Sequence, residues 1–140
     1  MFNVAADKVA KIKLPGLCLD HGLKDPNPHA EYRLVPIESY AKSPAVAEVV
    51  KMLGHGEIDQ RSAQAAAWHV QNGLSWEELA NKIGAKHLNG SVEPYFNVEQ
   101  LQRALAATRI AQERAEKSPQ PTPAEKAPQK SLGETLAKQQ

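Results

Sequence analysis

The sequence predicts a mainly α (α+β) domain of about four helices, with a short β-ribbon near the N-terminus and a disordered C-terminal tail. Three observations predict this class: start and stop signals bound several helices, two N-terminal segments alternate between apolar and polar residues, and the composition becomes polar and proline-rich near residue 116. The 140 residues suffice for one domain with a core and are too few for two of ordinary size. We therefore expect a helix-rich domain over residues 1–115 and a tail over residues 116–140.

Two candidate strands lie in the first forty residues. Residues 11–14 (Lys-Ile-Lys-Leu) and 32–35 (Tyr-Arg-Leu-Val) have the pattern of half-buried strands. Two strands alone do not form a stable sheet. Either they pack on the helices as a ribbon, or residues 11–14 pair with strands that precede Met1 in a longer protein. We expect the second arrangement, because an unpaired strand edge invites association.

The first two helices have clear boundaries. A serine precedes Pro44 at the first helical position, apolar residues then recur at helical spacing, and Gly54 is predicted to be a left-handed C-terminal cap. The second helix is predicted over residues 60–72, after Asp59 and before Gly73. It consists largely of alanine, and such small side chains allow another element to approach closely.

Capping boxes predict the start of the next two helices. Ser75 and Glu78 begin the third, which is predicted to stop at Gly84, and Asn97 and Gln100 begin a longer fourth. An Asn-Gly pair and a proline predict a loop between them. The predicted core consists of the apolar residues Leu14, Leu34, Val46, Val50, Leu53, Ala63, Ala67, Val70, Leu79, Ile83, Leu101 and Leu105.

Composition excludes several classes of function. The formal net charge is +1, from 17 lysines and arginines against 16 aspartates and glutamates, so a nucleic-acid partner is not expected. The longest apolar stretch is interrupted by charged residues, so we expect no membrane insertion. A single cysteine excludes an internal disulfide and a Cys-rich zinc site, and the five histidines are scattered. We therefore expect neither a metal nor a cofactor.

Two short segments carry the candidate chemistry. Residues 17–22 (Leu-Cys-Leu-Asp-His-Gly) hold the cysteine between leucines, and residues 64–69 (Gln-Ala-Ala-Ala-Trp-His) place a glutamine one turn before a tryptophan. Between Leu14 and Leu74 this combination resembles the bacterial thioester domains of cell-surface adhesins. The wider sequence also resembles uncharacterised bacterial proteins that share the cysteine and the helix.

The resemblance implies that Cys18 and Gln64 are joined in an internal thioester, and that the protein captures an amine on a surface partner without being an enzyme. A thiolate attacks a neutral carboxamide only if the two are held in contact, where positioning is worth roughly 7 to 11 kcal/mol. The bond must also be kept from water. Trp68 is the expected shield, completed by Leu17 and Leu19. The implied location is secreted or cell-surface if the chain is an N-terminally truncated form, and cytoplasmic otherwise.

Two alternatives come from other classes of protein. A cysteine between leucines is commonly a small buried hydrophobe, which predicts a noncovalent protein-interaction module with a structural Cys18. Residues 75–84 are similar to the start of a helix-turn-helix DNA binder, but the following loop is longer than the usual turn. No spacing selects a proton-transfer group among the nearby candidates His21, Tyr32, Tyr40 and His69.

Overall fold

The structure is a computed structural model that describes residues 3–118. Its elements are a short 3-10 turn, four α-helices and one two-stranded antiparallel sheet. The bounds of these elements are Ile37–Ser39 for the 3-10 turn, Pro44–Gly54 for α1, Gln60–Asn72 for α2, Trp76–Asn81 for α3, Ile83–Lys86 for β1, Val92–Pro94 for β2 and Val98–Lys117 for α4. The predicted fold class, four helices with a short two-stranded sheet, is confirmed.

The predicted capping signals fix three of the four helix starts. The side chain of Asp59 accepts a hydrogen bond from the Ser62 backbone N–H at the start of α2. Complete capping boxes begin α3 and α4. The backbone hydrogen bond from Ser75 holds the pKa of Glu78 below its usual value. Gly73 ends α2 with a φ of 73°, a left-handed conformation that glycine adopts without strain.

Two predicted helix ends are wrong. Gly54 lies within α1, and it is Gly56 that has the positive φ, 72°. The third helix ends at Asn81 and does not continue to Gly84, which lies in β1. The physical reason is strand pairing immediately after Asn81: the Tyr95 backbone N–H donates to the Lys82 carbonyl at 2.7 Å.

The sheet lies at a different place in the chain from the predicted ribbon. Residues 11–14 and 32–35 form no strand, whereas the predicted loop after α3 is a hairpin in which β1 pairs with β2. The hairpin closes around Gly90, whose φ is 83°. A local hairpin closes only a short loop, so its entropic cost is smaller than that of joining two strands about twenty residues apart.

The core lies among α1, α2 and α4, which pack against one another in all three pairs. Val46, Leu53 and Leu79 are buried as predicted, as are Ala63 and Ala67. Val50, Val70 and Leu101 are half-buried. Four predicted core residues are exposed: Leu14, Leu34, Ile83 and Leu105.

The exposure of Leu105 follows from the face that α4 turns inward. That face consists of small residues, Ala104, Ala107, Thr108, Ala111 and Ala115. Facing alanines on α2 let the two helix backbones approach closely, and the larger leucine then lies at the edge of the contact. Leu14 and Leu34 are exposed because their segments form no strand and so have no sheet face to bury.

Residues 119–140 of the predicted tail lie outside the described residues, and residues 116 and 117 belong to α4. None of the helices within residues 3–118 is both long enough and apolar enough to cross a membrane.

Candidate functional site

A row of polar side chains along α2 holds the extended segment 16–21 against the helix. Gln60 Nε2 donates to the Gly16 carbonyl at 2.8 Å. Four residues later, Gln64 binds the backbone of Cys18. Asn72 Oδ1 accepts the His21 backbone N–H at 3.4 Å. The segment therefore runs along α2 in the same direction as the helix.

The spacing of these contacts follows from backbone geometry. Four residues of an α-helix rise about 6 Å. Two residues of an extended chain span about 6.6 Å. The step from Gln60 to Gln64 therefore matches the step from Gly16 to Cys18, so that successive glutamines on one helix face meet alternate residues of the segment.

The Gln64 carboxamide is bound at both of its polar atoms by Cys18. Its Oε1 accepts the Cys18 backbone N–H at 2.8 Å, and its Nε2 donates to the Cys18 carbonyl at 2.7 Å. The carboxamide carbon lies between these two atoms and hence beside the backbone of Cys18. Gln64 is only 8% exposed, and Ala63, Ala65 and Ala66 beside it are fully buried. The structure thus brings together two of the sequence-predicted site residues, which are 46 positions apart in the chain.

The Cys18 side chain lies on the outer side of this segment. Leu17 and Leu19 pack against the core, whereas Cys18 is exposed. Its thiol donates a hydrogen bond to the Asp20 carbonyl at 3.4 Å. The same carbonyl accepts the Leu23 backbone N–H at 3.3 Å, which closes a turn in which Gly22 has a φ of 88°. The leucines therefore anchor the segment, and the thiol is accessible from outside.

Trp68 lies one turn beyond Gln64 on α2 and packs against His21 at the end of the segment. It is 6% exposed, and the His21 ring meets it edge-on with centroids 4.7 Å apart. The Phe96 and Trp68 rings pack with their centroids 5.9 Å apart, and the Lys82 ammonium lies 5.2 Å from the centroid of the Trp68 ring. The predicted shield therefore packs against the segment three residues after Cys18, and the thiol itself remains exposed.

The candidate proton-transfer groups have different hydrogen-bond partners in the structure. Tyr40 donates its hydroxyl hydrogen to Asp20 Oδ2 at 2.5 Å, close to Cys18. This hydrogen bond, together with the negative charge of Asp20, raises the pKa of Tyr40. His69 is bound to the Leu74 carbonyl, and Tyr32 binds the backbone of Asn27. Tyr40 is therefore the candidate whose hydroxyl joins the Cys18 segment.

A small cavity of about 370 Å³ opens beside the site, at the end of α2. His21, Asn72 and Lys82 line it, and the Lys82 ammonium lies 3.1 Å from His21 Nε2. Within residues 3–118, no three His, Cys, Asp or Glu side chains are grouped as metal ligands.

The side chains of Gln60, Asn72 and Asp20 were not predicted to be parts of the site. The sequence does contain a signal for the two α2 residues, because residues four positions apart share one helix face. This spacing joins Gln60, Gln64, Trp68 and Asn72. Nothing in the sequence marks Asp20, because its role depends on a contact with Tyr40 twenty residues away.

We predict that Gln60→Ala loosens the segment without unfolding the helices. Removing the hydrogen bond to Gly16 should cost about 0.5 to 1.5 kcal/mol locally. Amide hydrogen exchange at Cys18 should accelerate by roughly the corresponding factor, on the order of 2- to 10-fold. The exposed Gln102→Ala on α4 is the matched control. Equal exchange at Cys18 in both variants would contradict the docking role of Gln60.

Comparison of the chain with protein-family models, with curated proteins and with solved structures finds no match.

Proposed function

We propose that Cys18 and Gln64 form an internal thioester through which the protein covalently captures an amine on a surface partner. The observation that supports this most directly is the double hydrogen bond between the Gln64 carboxamide and the Cys18 backbone. Resemblance to thioester domains adds to it, since the same two residues would carry the bond there. The protein is consumed by one capture event, so it acts as a covalent binder and not as an enzyme.

Formation of the bond requires the Cys18 thiol, which lies on the outer side of the segment, to turn toward the Gln64 carboxamide that the Cys18 backbone holds. The Cys18 thiol loses its proton, and its sulfur attacks the carboxamide carbon of Gln64. The C–N bond breaks, the nitrogen takes up a proton, and ammonia leaves. Because the Cys18 backbone holds Gln64 at both polar atoms, part of the entropy of bringing the reactants together is lost on folding. The full advantage of roughly 7 to 11 kcal/mol requires the sulfur to reach about 3 to 3.5 Å from the carboxamide carbon.

Capture reverses the roles of sulfur and nitrogen. A primary amine attacks the carbonyl carbon of the thioester, the C–S bond breaks, and the electron pair leaves with the Cys18 sulfur. The products are an amide on the Gln64 side chain and a free Cys18 thiol. Exposure of Cys18 gives an amine on a large partner access to this bond and gives water the same access, so capture must be faster than hydrolysis.

The intact mass of freshly purified protein tests the proposal. We expect a mass lower than that of the sequence by one ammonia, with Cys18→Ala and Gln64→Ala each abolishing the deficit. Incubation with methylamine should free the Cys18 thiol and leave the amine attached at Gln64. A full mass with a thiol that alkylates, together with no methylamine adduct, would contradict the proposal.

The second candidate function is a noncovalent protein-interaction module. It is favoured by one observation: the Cys18 backbone satisfies both polar atoms of Gln64, so the same contact anchors the segment without a covalent bond. This function predicts the full sequence mass and a Cys18 thiol that alkylates quantitatively. The mass experiment therefore separates the two functions.

A further inference from the structure

The turn of the hairpin contains an asparagine followed by a glycine, and the sequence contains a second such pair at the end of α2. Asn89 and Gly90 lie in the exposed turn between β1 and β2. Asn72 is the last residue of α2, and Gly73 caps that helix. Because the two pairs have the same covalent structure, a difference in their reactivity must come from the fold around them.

An Asn-Gly pair reacts with itself. The backbone nitrogen of the glycine gives up its proton to water and attacks the carboxamide carbon of the asparagine. The C–N bond of the carboxamide breaks, the departing nitrogen takes up a proton, and ammonia leaves a five-membered succinimide. Glycine favours this step because it has no Cβ to restrict the backbone. Water then adds to either carbonyl of the ring, which gives aspartate or isoaspartate.

The hairpin turn favours this reaction at Asn89. Its Oδ1 accepts two hydrogen bonds from Ser91, from the backbone N–H at 3.0 Å and from the hydroxyl at 2.7 Å. The side chain thus reaches past Gly90, whose nitrogen is the attacking atom. Two donors on the carbonyl oxygen stabilise the negative charge that develops there during the attack. Residues 87–92 are all exposed, so water reaches the ring.

The attacking nitrogen is held only weakly in this turn. The Gly90 N–H donates to the His87 carbonyl at 3.0 Å, within a sheet of only two strands. A two-stranded hairpin is marginally stable, so this bond opens by local fluctuation without any change in the helical core.

The pair at the end of α2 is protected. The Gly73 N–H donates to the His69 carbonyl at 3.1 Å, as part of the helix end. Asn72 is half-buried, and its Oδ1 accepts the His21 backbone N–H at 3.4 Å. Ring closure here requires the last turn of α2 to open and the segment 16–21 to lose one of its contacts.

We propose that Asn89 is a self-modification site, which converts to isoaspartate and aspartate in the folded protein while Asn72 stays intact. Conversion creates a carboxylate and lowers the formal net charge from +1 to zero. Isoaspartate also adds one carbon to the backbone within the loop 88–90. The bond from the His87 N–H to the Ser91 carbonyl, now 2.9 Å long, then loses its alignment, so the modified hairpin opens more easily.

Ageing of the folded protein at mildly alkaline pH, followed by rapid tryptic mapping at mildly acidic pH, tests the proposal. Asn89 falls in residues 87–103 and Asn72 in residues 62–82, and fragment spectra locate the modified residue. We expect the peptide 87–103 to split into aspartate and isoaspartate forms. The reaction at Asn72 should be slower by about 10-fold or more. In guanidinium chloride, where neither turn is formed, both pairs should react at similar rates.

Ser91→Ala tests the activating contact, because it removes the hydroxyl donor and keeps the backbone N–H. Conversion of Asn89 in the folded protein should slow by roughly 2- to 10-fold, and the difference should vanish in guanidinium chloride. The exposed Ser118→Ala, after α4, is the matched control and should age as the unaltered protein does.

The outcomes are separable from those for the thioester. A succinimide at Asn89 is also lighter by one ammonia, but this deficit persists in Cys18→Ala and lies in the peptide 87–103. Faster conversion at Asn89 than at Asn72, lost on unfolding, supports the inference. Equal rates in the folded protein, or an Asn89 that reacts only in guanidinium chloride, overturn it. An unchanged rate in Ser91→Ala overturns the activation by Ser91.

Discussion

Gln64→Glu should abolish amine capture completely while keeping the size of the side chain. A carboxylate does not react with a thiol as the carboxamide does, because no ammonia can leave. It also cannot donate to the Cys18 carbonyl, where Gln64 Nε2 now donates at 2.7 Å. Loss of this donor at a site only 8% exposed should lower the free energy of unfolding by about 1 to 3 kcal/mol. Both effects are measurable, by adduct mass after methylamine treatment and by urea unfolding.

The control for this change is Gln102→Glu, on the exposed face of α4. It introduces the same charge without touching the segment that carries Cys18, so capture and stability should remain close to those of the unaltered protein. Capture by the Gln64→Glu variant at a normal rate would show that Gln64 is not the acyl group of the bond.

Leu79→Ala should lower the free energy of unfolding more than any of the other proposed substitutions. Leu79 is fully buried and is the one buried residue of α3, where it belongs to the apolar core. Deleting a buried leucine side chain to alanine costs about 2 to 5 kcal/mol, because a cavity remains in addition to the lost burial. In a domain of this size the melting temperature should fall on the order of 10 °C.

Leu88→Ala is the matched control, since Leu88 lies in the turn of the hairpin and is fully exposed. Its effect should stay within about 0.5 kcal/mol. Similar melting temperatures for the two variants would contradict the packing of α3 on the core.

The helices could be predicted because their signals are local. Asp59, Ser75 and Asn97 each accept a hydrogen bond from a backbone N–H three residues later, so the neighbouring sequence is enough to place the helix start. The end of α3 could not be predicted in this way. It is set by a bond between Lys82 and Tyr95, thirteen residues apart.

Which side chains face the core was harder to predict than where the helices begin. The helical spacing of Leu101 and Leu105 suggested that Leu105 faces the core. Instead α4 turns its alanines inward, since they permit the closest contact with the alanines of α2. The alternating residues 11–14 have the pattern of a strand without a partner within the described chain, and a strand requires pairing as well as pattern.

The candidate site was predictable in its two main residues and not in its surroundings. The unusual alanine-rich helix around Gln64, together with one cysteine between leucines, was enough to suggest that Cys18 and Gln64 meet. Tyr40 was one of four proton-transfer candidates, and Asp20 lies in the quoted segment 17–22. The sequence could not select this pair, because a single hydrogen bond across twenty residues joins them.

The most direct test of the central claim, a covalent bond between Cys18 and Gln64, is a peptide map of unreduced protein digested with trypsin at mildly acidic pH. Cleavage after lysine and arginine places Cys18 in residues 14–24 and Gln64 in residues 62–82. We expect one species whose mass is the sum of the two peptides less one ammonia. Methylamine treatment should convert this species into a free-thiol peptide and a methylamide peptide. Recovery of the two peptides only as separate species, with an alkylatable Cys18 and an unmodified Gln64, would contradict it.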